Sequence, residues 1–391
     1  MSVAGEAAAG LAHGLLWKAV SVGARLAFVI LIVPHMIGGQ YGLYFTLSTF
    51  SLIVAQVCAM GSQDYIPTLV RSDERALTKF SHYALGPFLL SCVLALAALI
   101  TELLWVAILA LVLSMSAGAM LAGATRSLKP AWFERYSNVI PLSLLSLSLV
   151  SGPGLDAVRL LALQAASVVL GQSFMVWPQA SNMSLRKCSS SFAEIGRLWT
   201  RRAGAVMASD LLTLGCVRGV AVGPWILGRA VITDALALSL AIGEAMWSVG
   251  LAVINRNYSY YCSAGVHRGR LKWTVAIIGA VTLGVAFAAL IAIETALLPE
   301  SVPQRLVDAR VLVPALLFFG AVLVASELKY VDMALGLSMR RWLIGQSAFT
   351  AFSACAIPIF GEAMGLWAMF CVLFAVAGAL CRGRLGAGPQ K

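Results

Sequence analysis

The chain has 391 residues, of which 60% are apolar and only 12% are charged, and its formal net charge is +11. A soluble globular protein is about half apolar and about a quarter charged, so this composition excludes a soluble enzyme, a disordered chain and a coiled coil. Long apolar runs, such as 94–111 and 275–293, also disfavour an outer-membrane barrel, whose strands alternate over about 10 residues. We therefore predict an all-α polytopic membrane protein.

Twelve stretches are apolar enough to cross a bilayer, which takes about 20 residues of helix. The fifth is short and rich in serine, and Pro153 ends it. In chain order, the predicted spans are 14–37, 41–62, 82–101, 103–124, 138–152, 158–178, 203–224, 231–254, 273–295, 309–327, 342–360 and 363–381.

The connections between these spans alternate in charge. Every second connection and the C-terminus are basic, and together they hold most of the 28 Lys and Arg residues. Lys329 is assigned to one of these basic connections, directly after the tenth span. Because basic connections stay in the cytoplasm, twelve spans place both termini there. We expect a multi-pass protein of the bacterial inner membrane.

The longest basic connection, residues 181–202, divides the chain into an N-terminal bundle of six spans (1–180) and a C-terminal bundle of six (203–391). Because six is even, both bundles enter the membrane in the same direction. Halves of this kind are related by a pseudo-two-fold axis along the membrane normal, and a substrate path usually lies between them. Segments 37–45 and 227–235 match weakly, which either reflects a repeat or a chance likeness of two glycine-containing turns.

Five ionisable residues fall inside the predicted spans. Lys18 and Arg25 lie on one face of span one, Asp210 and Arg218 share a face of span seven, and Glu244 lies in the middle of span eight. Ionisable groups at membrane depth usually face a cavity or a partner. Arginine presents a planar fork of donors that fits phosphate oxygens and stays charged when desolvated.

These residues have two interpretations. The functional one is a basic cavity in which Arg25, Arg218 and Lys18 bind an anion, while Glu244 and Asp210 carry a coupling ion. The structural one makes Arg218 the ion-pair partner of Glu244 or Asp210, and makes Lys18 an anchor at the cytoplasmic end of its helix. Asp210 lies eight residues from Arg218, about 12 Å along a helix. Glu244, on the neighbouring span, is therefore the better candidate for an ion pair with Arg218.

Several motifs are absent from the sequence. It contains neither the phosphate-binding G-x-x-x-x-G-K-[ST] pattern nor an H-E-x-x-H zinc site. Its eight cysteines are scattered without a C-x-x-C pair. We expect no metal, no cofactor, no nucleic-acid partner and no enzymatic activity of the chain itself.

The stretch from Ala24 to Arg71 resembles the opening of polysaccharide flippases of the MATE-like, or MOP, superfamily. It has an apolar run with an arginine, a glycine–tyrosine turn, a second apolar run and a basic end. Gly38, Tyr41, Gly42 and Tyr44 carry the turn. In the second half only Asp210-Leu-Leu corresponds to the family pattern, and the glycine–tyrosine turn is poorly matched.

This resemblance implies transport of an undecaprenyl-diphosphate-linked oligosaccharide to the periplasmic leaflet by alternating access. The partners implied are that lipid-linked substrate, membrane lipid, the polysaccharide polymerase machinery and a coupling proton or sodium ion. Three alternatives stay open. They are a cation-coupled MATE-type exporter, a lipid II flippase with two additional spans, and an integral glycosyltransferase or polymerase. The short external connections, with few acidic residues, argue against the enzyme.

Overall fold

The computed structural model describes residues 3–32, 35–36, 38–59, 74–128, 136, 139–149, 155–176, 201–227, 232–264, 266–294, 308–335 and 340–386. Within these ranges the chain is helical, and its one extended pairing is an isolated parallel bridge between Met36 and Leu155. The described part of the chain contains twelve helices, as the twelve apolar stretches predict.

In chain order the helices are α1 (Val3–Ile32), α2 (Gln40–Cys58), α3 (Glu74–Thr101), α4 (Leu104–Leu128), α5 (Ile140–Leu149), α6 (Ala157–Val176), α7 (Arg201–Ile226), α8 (Asp234–Ala264), α9 (Arg268–Glu294), α10 (Ala309–Ala334), α11 (Arg340–Phe360) and α12 (Glu362–Gly386). Nine helices of the described ranges contain a window long and apolar enough to cross a membrane. Large apolar side chains such as Trp105, Trp273 and Phe287 remain exposed on them, as expected for helices that face lipid. The fold is therefore that of an all-α polytopic membrane protein.

Helices α8 and α10 continue well past the predicted C-terminal ends of their spans. The eighth span was expected to end at residue 254, but α8 continues to Ala264. The tenth was expected to end at 327, but α10 continues to Ala334. Lys329, assigned to a cytoplasmic connection, lies instead within α10 and is 6% exposed. The helices continue past the predicted span ends because polar side chains near these ends satisfy one another and need not leave the helix.

The chain divides into two compact units, Met1–Leu211 and Leu212–Lys391. In the first unit, α4 packs against α2, α3 and α6, and α5 packs against α1 and α6. Helix α4 forms the centre of this unit, where Ala107, Ala110 and Leu111 are fully buried.

The second unit repeats this order of packing. Helix α10 packs against α8, α9 and α12, and α11 packs against α12 and, through glycines, against α7. Helix α10 takes the central place that α4 has in the first unit, and Leu316 and Phe318 on it are fully buried. Each helix pair of this unit thus corresponds to a pair six helices earlier, which supports the predicted internal repeat.

The same two connections also meet in each unit. In the first, the side-chain oxygen of Gln40 accepts a hydrogen bond of 3.0 Å from the backbone N–H of Ala157, which joins the starts of α2 and α6. In the second, Glu362 accepts hydrogen bonds from the backbone and hydroxyl of Thr233, at 3.2 and 2.7 Å, which joins the starts of α8 and α12. All four helices are predicted to begin at the periplasmic face.

Glycine is required before two of these helix starts, at Gly39 and at Gly361, where φ is positive. Gly39 precedes α2 with φ of +84°, a left-handed conformation that only glycine adopts without strain. Tyr41 and Tyr44 follow Gly39 in the first two turns of α2, where both are buried and their ring centroids lie 6.0 Å apart. The glycine–tyrosine turn of the sequence is therefore a tight helix start anchored by two packed aromatic rings.

Candidate functional site

Arg218 on α7 and Glu244 on α8 form an ion pair inside the second unit. The Arg218 Nε donates to Glu244 Oε1 at 2.8 Å, and the Nη2 of the same guanidinium donates to both carboxylate oxygens. The side chains are 12% and 13% exposed. Helix α7 is otherwise apolar around this point, with Val217 and Val220 almost fully buried. An arginine that binds a carboxylate through two donors forms a stronger and geometrically more specific ion pair than a single contact does.

The position of Arg218 is fixed by close packing of α7 on α11. Gly215, Gly219 and Gly223 form a stripe on α7, and a Cβ on any of them would come within 2.8 Å or less of Thr350, Ser353 or Ala354. Small residues at a spacing of four let two membrane helices approach closely. Hydrogen bonds across the same interface join Thr350 to Leu212 and Gln346 to Thr213. The helix that carries Arg218 is therefore firmly held within its unit.

The first unit carries two of the predicted site residues, Arg25 and Lys18. Both lie on α1 and are partly buried, and both take part in interactions within the chain. Their spacing of seven residues on a continuous helix places them on one face, as predicted. Asp210 lies within α7, but its side chain is outside the described residues. The structure thus brings Arg218 and Glu244 together and describes Arg25 and Lys18 within a separate unit.

A buried polar network near the ends of α8, α9 and α10 was missed in the sequence. Glu327 on α10 is fully buried, and its Oε1 accepts hydrogen bonds from the Tyr261 hydroxyl at 2.6 Å and the Asn257 amide at 3.2 Å. Asn257 in turn donates to Thr274 Oγ1 and accepts two hydrogen bonds from Arg270, at 3.1 and 3.0 Å. Glu327 Oε2 has no hydrogen-bond partner among the described residues.

The signal for this network lay beyond the predicted ends of the spans. Asn257 and Tyr261 follow residue 254, and Glu327 is the last residue of the tenth predicted span. A hydropathy window ends where polar residues begin, so it treats these residues as the start of a loop. Asp332, which accepts a hydrogen bond of 2.9 Å from the Trp342 indole, lies still further along α10 and was missed for the same reason.

The described residues contain no group of three or more His, Cys, Asp or Glu side chains that could hold a metal ion. The charged groups that the structure describes belong to one unit or the other. The second unit holds one arginine bound by a carboxylate and one fully buried carboxyl group, and the first unit holds two basic groups on α1.

No model of a protein family matches the sequence, and no curated protein matches it. Solved structures do match. A multidrug resistance MATE family transporter of the MOP superfamily, in an outward-facing conformation, is 14% identical and superposes with a TM-score of 0.53 over 96% of this chain and 95% of its own. A MATE protein in complex with Br-NRF (14% identity, TM-score 0.47, 96% of each chain) and a MOP superfamily transporter from Pyrococcus furiosus (14% identity, TM-score 0.46, 97% and 96%) match less well.

At 14% identity, the first of these matches is evidence for the fold alone. It extends over nearly the whole of both chains, and it agrees with the all-helical architecture and the twelve described helices. The protein is a membrane protein with the fold of the MATE-type transporters of the MOP superfamily.

Proposed function

We propose that the protein moves a polyprenyl-diphosphate-linked oligosaccharide from the cytoplasmic to the periplasmic leaflet of the bacterial inner membrane. The observation that carries this proposal is Arg218, an almost buried guanidinium on an apolar helix, whose fork of donors suits phosphate oxygens. The transporter fold and the resemblance of residues 24–71 to polysaccharide flippases support it.

In this proposal Arg25 and Arg218 bind the diphosphate, with Lys18 near the cytoplasmic entry, and the sugars cross inside the protein while the prenyl tail stays in lipid. Arginines serve this purpose because a diphosphate loses its hydration on entering a low-dielectric site and needs fixed cations in exchange. The two six-helix bundles, residues 1–180 and 203–391, would alternate access to the two faces, with the linker and both termini in the cytoplasm. The polysaccharide polymerase machinery would receive the product.

The decisive experiment measures lipid-linked oligosaccharide in cells that lack the gene and carry variants in its place. We expect Arg25→Ala to insert and accumulate but to abolish export, and Arg25→Lys to restore it only in part, because lysine lacks the fork. Arg310→Ala is the matched control, since Arg310 is exposed at the start of α10. Normal export by Arg25→Ala would contradict the diphosphate role.

Arg218 needs a separate test because it is paired with Glu244. If Arg218 binds substrate, Arg218→Ala should stay inactive when Glu244→Ala is added. If the arginine serves only to neutralise the carboxylate, the double variant should recover export, because no unpaired charge remains buried. Recovery would remove Arg218 from the substrate site.

The second candidate is a cation-coupled exporter of the MATE type, and the observation in its favour is Glu327. A fully buried carboxyl group with one oxygen lacking a described partner is suited to a proton or a cation. Cells that express the chain would then resist cationic drugs, and Glu327→Gln would abolish that resistance. A flippase would confer none.

A further inference from the structure

Five helices of the second unit meet around one apolar cluster, at the end of the unit that is predicted to face the cytoplasm. The cluster consists of the buried residues Tyr261, Leu271, Leu328, Val331 and Ala377. Trp342, near the start of α11, packs against it, as do Leu380 and Cys381 on α12. The starts of α9 and α11 and the last turns of α12 therefore lie side by side.

Basic side chains surround this cluster on the outside. Lys272 on α9, Arg341 on α11 and Arg382 on α12 each stand directly beside a packed residue in the chain, and all three are exposed. Arg340, the first residue of α11, is exposed as well. Because their neighbours in the chain pack on one cluster, these cations share one end of the unit.

The described acidic side chains near this end do not reach its surface. Glu327 is fully buried, and Asp332 is 6% exposed. Apart from Glu244 in the middle of α8, the other described acidic residues of the unit lie at the opposite ends of their helices: Asp234, Glu294, Asp308 and Glu362. Among the described residues, the exposed charge at this end is therefore positive.

The start of α9 is held in place by the buried network around Glu327. Arg270 donates two hydrogen bonds to Asn257, which in turn donates to Glu327. Within the same turn of α9, Lys272 and the indole of Trp273 are exposed. Tryptophan is enriched where membrane helices pass the lipid headgroups, so Trp273 indicates that Lys272 lies at headgroup level.

An apolar face continues from Trp273 along α9. Trp273, Ile277 and Val281 follow one another at a spacing of four residues, which places them on one side of the helix. Their side chains are 72%, 56% and 53% exposed. A ligand that fits both parts of this surface has a negative headgroup and an apolar chain. A soluble anion would leave the apolar face unused.

We propose that this end of the second unit is a binding surface for anionic phospholipids. Lys272, Arg341 and Arg382 contact the headgroup phosphates, and an acyl chain lies along Trp273 and Ile277. Basic residues near a membrane surface attract anionic lipids, and each strengthens binding by up to about fivefold. The inference is independent of which cargo the protein carries.

The test uses the purified full-length protein in nanodiscs of phosphatidylcholine. These contain, as a minor component, photoactivatable phosphatidylglycerol or photoactivatable phosphatidylcholine. Mass spectrometry locates the crosslinked residues after illumination. For the wild type we expect phosphatidylglycerol to crosslink at the starts of α9 and α11 in excess over phosphatidylcholine, by up to the order of a hundredfold for three cations. Added salt should reduce this excess.

The variants separate charge from structure. The triple variant Lys272→Gln, Arg341→Gln and Arg382→Gln should lose the excess. The charge-conserving triple variant Lys272→Arg, Arg341→Lys and Arg382→Lys should keep it, which separates a loss of charge from a loss of folding. Arg310→Gln, exposed at the opposite end of α10, should behave as the wild type.

Three results would overturn the inference. The first is equal crosslinking of the two lipids at this end of the wild type. The second is an unchanged excess in the neutral triple variant. The third is removal of the excess by inorganic phosphate but not by chloride of the same ionic strength, since the surface would then bind a soluble anion instead of a lipid.

Discussion

Adding one methyl group at Gly223 should destabilise the second unit more than the same change at any other glycine of the stripe. A Cβ on Gly223 would lie 2.2 Å from the backbone oxygen of Ala354, and 2.6 and 2.8 Å from its Cα and carbonyl carbon. At Gly215 the nearest atom, at 2.8 Å, belongs to the Thr350 side chain, which can rotate. The backbone atoms of Ala354 cannot rotate out of the way.

The size of the destabilisation follows from how far α7 and α11 must move apart to relieve the clash. Ordinary van der Waals contact begins at 3.4 Å, so α7 and α11 must separate by roughly 1 Å at this point. Overpacking of this kind costs about 1–3 kcal/mol, and a backbone clash belongs at the upper end. For a unit of this size, about 3 kcal/mol corresponds to a decrease in Tm of about 6–12 °C.

The assay is thermal unfolding of detergent-purified protein, followed by the fraction that remains monodisperse on size-exclusion chromatography. Gly284→Ala on α9 is the matched control, because a Cβ there meets nothing within 4 Å. We expect it to leave Tm unchanged or raise it slightly, since alanine favours a helix over glycine by about 0.5–1 kcal/mol. Gly215→Ala should fall between the two. A Gly223→Ala protein as stable as Gly284→Ala would refute the close packing of α7 and α11.

Two further predictions concern topology and the buried network. Reporter fusions after Arg202 and after Lys391 should both report a cytoplasmic location, since basic connections stay inside, and a periplasmic signal at either point would break the twelve-span arrangement. Tyr261→Phe should lower the free energy of unfolding by about 1–3 kcal/mol, because it removes one of the two hydrogen bonds to the buried carboxyl group of Glu327. An unchanged Tm in the same assay would show that this hydrogen bond contributes little to stability.

The sequence predicted the number and order of the helices because long apolar runs leave few alternatives in a membrane. It also favoured Glu244 over Asp210 as the ion-pair partner of Arg218, since adjacent helices bring side chains closer than eight residues of one helix do. The buried network around Glu327 could not be predicted in this way. Its partners come from three helices, and each looks like an ordinary polar residue at the end of an apolar run until the helices pack.

The glycine stripe was missed for a related reason. Gly215, Gly219 and Gly223 stand among other small residues on α7, and nothing local distinguishes a glycine that faces a neighbouring helix from one that faces open space. Gly279 and Gly284 on α9 face open space. Only the position of α11 in the fold shows that the glycines of α7 face a neighbouring helix.

The links at the starts of the helices bear on the ancestry of the chain. The first unit uses the Gln40 amide oxygen and the backbone of Ala157, whereas the second uses the Glu362 carboxylate and Thr233, with donor and acceptor exchanged between the two connections. Corresponding helix pairings held by unrelated side chains are what a gene duplication followed by divergence would leave. An ancestor of six helices would have had both ends on the same side of the membrane, so two copies could be fused end to end without inverting either. Such a fusion leaves each half free to differ from the other, as α1 with its two basic residues differs from α7, whose arginine is paired with an acid.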